Sequence, residues 1–422
     1  MATDSAPAGR RALVLGAGIV GVSIALHLQQ RGWSVALVDR KDPGRETSYG
    51  NAGFIECSSV LPHPFPRGFS TLMKLAMNRS DAVRYEPRFL PRIAPWLLAY
   101  WRASQDRALA HIGPAFRALI GTALAEHEAL IAEAGVTALL RHDGWLEICR
   151  SPQQLEAADR EANFARRHGV IAEHLGAEAL YALEPALKPG FHGAIAWPDT
   201  RRIIDPGELV EAYARLFSAK GGQILRADAL TLADKGGTWD IRSAGGEAIS
   251  ADHAVVALGP WTGDLAARFG YRFPLAVKRG YHRHFAYDDS ARLTQAVYVR
   301  DEACLIVPMA RGIRLLSGAE LAPRDAPSTP VQLRRIEARA RSVVPLGDPI
   351  EPEPWLGARP CLPDMLPVIG PAPRHAGLWF AFGHGHYGLT LGPTTGRMLA
   401  EIMSGETPLI PPQAYRAERF AA

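Results

Sequence analysis

Residues 12–15 form an apolar run that meets Gly16-Ala17-Gly18-Ile19-Val20-Gly21, continues as a helical pattern, and returns as a second apolar strand ending at Asp39. This order predicts a strand, helix and parallel strand in the first forty residues. From 104 to 134 apolar positions recur at helical spacing, through Leu109, Ile112, Phe116, Leu119, Ile120, Leu124, Leu130 and Ile131. Residues 144–149 read as a strand. Ser151-Pro152 then supplies the cap and first-turn proline of a helix running to Gly169. Asp205-Pro206-Gly207 opens another helix, with Leu209, Tyr213, Leu216 and Phe217 apolar, which stops at Gly221-Gly222 before a strand at 223–225. Residues 252–261 read as a buried parallel strand followed by a glycine turn. Between 273 and 345 the runs 278–285, 298–300, 305–309 and 312–320 are strand-like and joined by short polar turns, which predicts an antiparallel sheet. Thr394 is expected to cap a closing helix ending near Gly405.

The pattern gives an α/β fold with an α+β second domain. A Rossmann-like domain is expected over 1–60, 195–268 and 355–422, and a mixed or antiparallel-sheet substrate domain over 61–194 and 269–354. The chain then passes between the two more than once.

Composition sharpens this picture. The chain has 422 residues, 47% hydrophobic and 21% charged, which suits a globular protein with room for two cores. A net charge of +4 is mild and fits an anionic cofactor or substrate, or an acidic membrane surface. No Lys/Arg run is dense enough to suggest nucleic acid. Cys57, Cys149, Cys304 and Cys361 stand far apart, so free thiols are expected rather than a disulfide framework or a zinc site. His282 and His284 share a strand face, but no third ligand lies at metal-site spacing, and no metal is expected.

The glycine stretch carries the first chemistry. Gly16 makes the tight turn, Gly18 lets the backbone approach a pyrophosphate, and Gly21 lets helix and strand pack closely. Ala17, Ile19 and Val20 complete the loop and the helix start, whose free N–H groups and dipole favour phosphate. Asp39, followed by Arg40, closes the second strand where a carboxylate can accept from both hydroxyls of an adenosine ribose. It should disfavour a 2′-phosphate, so NAD or FAD is expected. Arg10-Arg11 before a glycine-rich apolar run also resembles a twin-arginine export signal, and 12–28 a short membrane span. Neither explains a second strand ending in an acid.

After a polar turn comes Thr47-Ser48-Tyr49-Gly50-Asn51-Ala52-Gly53. TSYGNAG behind such a unit resembles the D-amino-acid dehydrogenases, within the D-amino-acid oxidase-like family of FAD enzymes that includes glycine and sarcosine oxidases. The resemblance implies FAD, with Thr47, Ser48, Asn51, Ala52 and Gly53 along the cofactor. It also implies a main-chain contact at Leu230, contacts at Ala257, Gly259 and Trp261, and glycines at 383, 385 and 388 that let the main chain approach a flat ring. His384, Tyr387, Leu389 and Thr390 belong to that ring-binding stretch.

The stretch Gly357-Ala358-Arg359-Pro360-Cys361-Leu362-Pro363-Asp364 matches the place where amine-oxidising relatives put an arginine that forks onto the substrate carboxylate. Arg359 is therefore the first candidate, with a salt bridge to Asp364 as the structural alternative. Tyr281, His386 and Tyr387 are the remaining catalytic candidates, as groups that fix substrate orientation. The implied reaction is oxidative deamination of D-amino acids, including proline- or hydroxyproline-like ones, with electrons passing to a quinone or another carrier. An oxygen-using glycine or sarcosine oxidase, or a flavin subunit of a larger dehydrogenase complex, are the alternatives. Residues 69–101 mix Phe69, Leu72, Met73, Leu75, Trp96, Leu97, Leu98, Tyr100 and Trp101 with Lys74, Arg79, Arg84, Arg88 and Arg92. They suit either a peripheral membrane contact or packing into the second domain. A cytoplasmic location, or one on the inner face of the cell membrane, is the corresponding expectation.

Overall fold

The computed structural model describes residues 10–288, 292–300 and 302–420, without the side chains of 69–71. The expected first unit forms as the strand Arg11–Leu15, the helix Ile19–Gln30 and the strand Ser34–Asp39, paired in parallel with Ala12 opposite Val35. These strands lie inside a six-stranded sheet ordered Gln223–Arg226, Ser34–Asp39, Arg11–Leu15, His253–Val256, Leu378–Phe382, Val368–Pro371. Its members come from the start, middle and end of the chain, and only Val368–Pro371 runs antiparallel to its neighbour.

Alternation explains why Arg11–Leu15 reads as a continuous apolar run. Ala12 and Val14 pack towards a layer of helices, whereas Leu13 and Leu15 pack with Trp239, Ile241, Phe380 and Phe382 on the other face. A strand buried on both sides has no polar face. The helical layer comprises Ile19–Gln30, Asp106–Glu133, Pro206–Ala219 and Gly388–Met403. Among the described residues Asp106–Glu133 is long and apolar enough to cross a membrane, but Phe116, Leu119, Ile120, Ala123, Leu130 and Ile131 belong to this core.

A mixed ten-stranded sheet forms the second layer system, centred on Ala276–Phe285, Gly312–Leu316, Cys304–Met309 and Ala296–Val299. Two boundaries differ from expectation. Gly193–Trp197, assigned in part to the first domain, pairs with Trp145–Cys149 in this large sheet. Trp355–Cys361, assigned wholly to it, runs antiparallel to Ala276–Phe285 from Ala276 opposite Cys361 to His282 opposite Trp355. Pairing partners distant in sequence decide both cases, and neither strand carries a local mark of them.

Local signals performed well where a cap makes them specific. Ser151 Oγ accepts from the Gln154 N–H at 3.2 Å and Asp205 Oδ1 from the Glu208 N–H at 3.1 Å, at the expected helix starts. Thr394 is a correction: it lies inside a helix that starts six residues earlier, at Gly388, after a short turn at Gly385–Tyr387. The four cysteines are free, and no group of metal-ligating side chains occurs among the described residues.

Candidate active site

A cavity of about 1200 Å³ runs between the two sheets. It exceeds the roughly 300–1,000 Å³ usual for one small-molecule pocket. At one end lie Gly16, Gly18, Ile19, Val20, Asp39, Arg40 and Trp261, and at the other Arg359, His386 and Tyr387. Thr47, Ser48, Asn51, Ala52, Leu230, Ala257, Gly259, His384, Gly385, Gly388, Leu389 and Thr390 also line it.

The nucleotide end follows from its glycines. Gly16 has φ +108°, which disfavours any residue with a Cβ, and a Cβ on Gly21 would overlap the Gly16 carbonyl oxygen. Gly21 therefore stands behind the cavity wall in the packing role expected of it. A Cβ on Gly18 would stand 3.2 Å from Ser48 Oγ, which itself accepts from the Ile19 N–H at 3.0 Å. The bare backbone at 18 and the helix start thus line the cavity beside Ser48. Asp39 takes the Ala17 N–H on one carboxylate oxygen at 2.7 Å and the Lys41 N–H on the other at 2.9 Å. A carboxylate accepts about four hydrogen bonds, so it retains capacity for two hydroxyls. Ala17 itself is turned away from the cavity by this contact. Arg40 stacks over Trp261 at 4.4 Å and pairs with Glu46 at 3.0 Å.

Four other expected residues differ in position or role. The Leu230 N–H donates to Asp228 at 2.9 Å and its carbonyl accepts from Arg268, so it offers the cavity its side chain rather than free main-chain groups. Gly53, at φ +83°, turns the chain against the Ile203 carbonyl, outside the cavity. Gly383 lines a small side chamber instead. Tyr281 is the clearest correction: its hydroxyl donates to Glu320 at 2.7 Å and accepts from the Thr329 N–H at 2.9 Å, in the core on the far face of the sheet.

Arg359 reaches the cavity as expected. Its guanidinium lies over Gly280, where an added Cβ would stand 2.6 Å from Nη2 and 2.8 Å from Cζ. The alternative pairing is absent, because Asp364 accepts from Arg419 at 2.7 Å. No ion pair to Arg359 occurs among the described residues, and burial pulls its pKa down. A half-buried guanidinium without an acidic partner has its forked donors available to a carboxylate. Around it stand aromatic rings and two histidines. Tyr387 stacks on His63 at 5.6 Å and meets Phe116 edge-on at 4.9 Å. His386 and His63 are exposed to the cavity, where desolvation and the nearby cations pull both pKa values down. Both rings are therefore neutral at neutral pH.

His63, Tyr100 and Lys278 are among the lining residues that sequence reasoning did not assign to the site. Lys278 stands directly opposite Arg359 on the neighbouring strand. Strand alternation places residues 278 and 280 on one face, a usable signal once the face of either is known. Of the 69–101 segment, Ile93, Trp96 and Tyr100 are buried, whereas Met73, Met77, Leu90, Leu98 and Trp101 are exposed beside Lys74, Arg88 and Arg92. Packing and exposure thus divide the helix Leu90–Ala103 between two faces, and Phe69 lies outside the described side chains.

A glycine-cradled helix start, a strand-end carboxylate and a cation at the far end of one long cavity define a dinucleotide-dependent enzyme acting on a small anion. The chain belongs to the DAO family of FAD-dependent oxidoreductases, whose family model matches residues 11–402. It is 30% identical to a D-amino-acid oxidase of Bradyrhizobium diazoefficiens over 98% of this chain and 100% of that one. It is also 30% identical to a D-amino acid dehydrogenase of Chromohalobacter salexigens, over 97% and 99% of the two chains. Among solved structures, a glycine oxidase from Geobacillus kaustophilus superposes with a TM-score of 0.73 at 21% identity, covering 98% of this chain and 99% of that chain. FAD is thus the cofactor, and the bare backbone at Gly18, the helix start and the unfilled acceptor capacity of Asp39 fit it.

Proposed function

We propose that the protein oxidises the α-amino group of D-amino acids, with Arg359 as the carboxylate anchor, and passes the electrons to a quinone or another non-oxygen acceptor. The observation that carries this reading is the Arg359 guanidinium, enclosed in the cavity over Gly280 and free of any acid among the described residues. The names of the relatives favour a D-amino acid.

FAD, when bound, supplies the acceptor for the hydride leaving the substrate Cα. The residues from Gly16 to Val20, Asp39, Arg40, Ser48 and the helix start at Gly388 to Thr390 would hold it. Arg359 fixes the carboxylate through two parallel N–H donors, which sets the direction of Cα. Neutral His386 and His63 can accept from an amine N–H without repelling it, and Tyr387, backed by Phe116, forms part of the wall. The amine must lose a proton before it reacts, and this proton can pass to solvent, so no side-chain base is assigned. Tyr387 takes the orienting role that Tyr281, on the wrong face of its strand, cannot fill.

The acceptor reading is supported by the helices Phe69–Ala76 and Leu90–Ala103. Leu72, Leu75, Leu90 and Leu97 line the cavity, while Met73, Leu98 and Trp101 with neighbouring basic residues form an outer surface suited to a membrane holding quinone. Anaerobic mixing of the yellow protein with D- and L-amino acids tests the proposal. Bleaching by D-isomers that persists in air and is reversed by a soluble quinone is expected. Rapid recolouring in air would make it an oxidase, and no bleaching by any D-amino acid would overturn the proposal.

A further inference from the structure

Lys278 and Arg359 face each other across two antiparallel strands, so their side chains leave the sheet on the same face about 5 Å apart. Their charged ends then diverge. The guanidinium of Arg359 lies over Gly280, two residues along the neighbouring strand from Lys278, a displacement of about 7 Å along the sheet. The Lys278 ammonium instead lies over the Tyr100 ring at 4.2 Å and near Trp96 at 5.3 Å, on the helix Leu90–Ala103. The cavity wall thus carries two separate cationic heads.

Neither head has an acidic partner among the described residues. The groups that act on Lys278 are Arg359 and the Cys361 thiol, and those on His386 are Arg359, His63 and Lys278. Glu320, the buried acid of the adjoining strand, is taken by Arg84 at 2.9 Å and by Arg279 at 3.2 Å on the opposite face. Burial lowers the pKa of Lys278, with Arg359 adding to the effect. Lys278 and Arg359 are both half-buried and both line the cavity, and one α-carboxylate neutralises only one of them. The aromatic rings beneath the ammonium hold it in place as a cation without supplying a negative charge.

We propose that the preferred substrate is a dicarboxylic amino acid, with Arg359 holding the α-carboxylate and Lys278 the side-chain carboxylate. This rests on the reading of Arg359 as the α-carboxylate anchor and names the substrate class of that same site. A single ammonium over aromatic rings suits a carboxylate rather than a phosphate dianion, which would draw on several more donors.

The test compares kcat/KM for D-aspartate and D-glutamate with that for D-asparagine and D-glutamine, which have nearly the same shape and no side-chain charge. The holoenzyme should prefer the acids by at least about tenfold, the scale of one charge-assisted contact. In Lys278→Met this acid-to-amide ratio should fall to near one, and in Lys278→Arg it should survive. A holoenzyme with no preference for the acids overturns the proposal. So does a Lys278→Met variant that loses acids and amides in the same proportion, which would make Lys278 a general contributor to turnover. If Lys278→Met fails to retain FAD, the holoenzyme ratio and Lys278→Arg decide. Turnover of neutral D-amino acids alone would sink this inference and leave the D-amino acid reading standing. Bleaching by no D-amino acid at all would sink both.

Discussion

Arg359 can serve as an anchor because residue 280 has no side chain. Any Cβ at Gly280 would stand within 2.8 Å of Cζ, so the guanidinium would have to leave its place. Gly280→Ala should therefore raise the KM for the amino acid by about tenfold or more while the bound flavin spectrum is retained, since the cofactor end of the cavity is untouched. Steady-state kinetics beside an absorbance spectrum checks this, and an unchanged KM would mean that the guanidinium is not held where the structure puts it. Arg359 was legible from its motif, and Asp39 and the glycines from their positions around one helix start. Lys278 and Tyr281 were not, and for one shared reason. Along Ala276–Phe285 even-numbered residues 278 and 280 face the cavity and odd-numbered 279 and 281 face the core. A strand with polar and aromatic residues on both faces gives no clue to which face is which. That choice is made by the strand laid beside it, Trp355–Cys361, from a distant part of the sequence.

The closing helix shows the same limit at the level of an element. Gly392-Pro393-Thr394 reads as a break followed by a cap, yet Gly388–Met403 is one helix with Pro393 inside it. Pro393 has no N–H, so the carbonyl four residues back, Leu389, lacks its helical partner. His127 Nε2 takes that place, donating to Leu389 at 2.8 Å from the buried helix Asp106–Glu133, while its other nitrogen meets Tyr213 at 3.3 Å. A side chain over 260 residues away in sequence thus satisfies the helix, which local signals could not show. Burial lowers the His127 pKa to about 4. An unfolded histidine titrates near 6.5, so the unfolded chain binds the extra proton first as pH falls, and the fold loses stability from about pH 6.5 down to about pH 4. The loss from this residue should reach roughly 3 kcal/mol at the lower limit. Denaturant unfolding at pH 7.5 and 5 should show wild type losing more stability than His127→Gln, whose amide can still donate to Leu389 without titrating. Equal losses would remove His127 from the account.

At the scale of the molecule, function arises from laying two sheets along one cavity. The six-stranded sheet brings the nucleotide-binding turn and the ring-facing segment from opposite ends of the chain, and the ten-stranded sheet brings the cations. The passage of the chain back and forth between the two sheets was legible because strand–helix–strand order and strand-rich stretches differ in periodicity. Boundaries near 195 and 355 were not, since a strand carries no mark of the sheet it will join. Substrate binding rests on a single cation meeting a single carboxylate, and the direct measurement is rapid anaerobic reduction of Arg359→Lys. The dependence of bleaching rate on D-amino acid concentration gives the apparent Kd, separately from the limiting rate. Losing the forked guanidinium should raise that Kd by about a hundredfold while FAD remains bound. A variant that keeps both its flavin and the Kd of wild type would contradict the account.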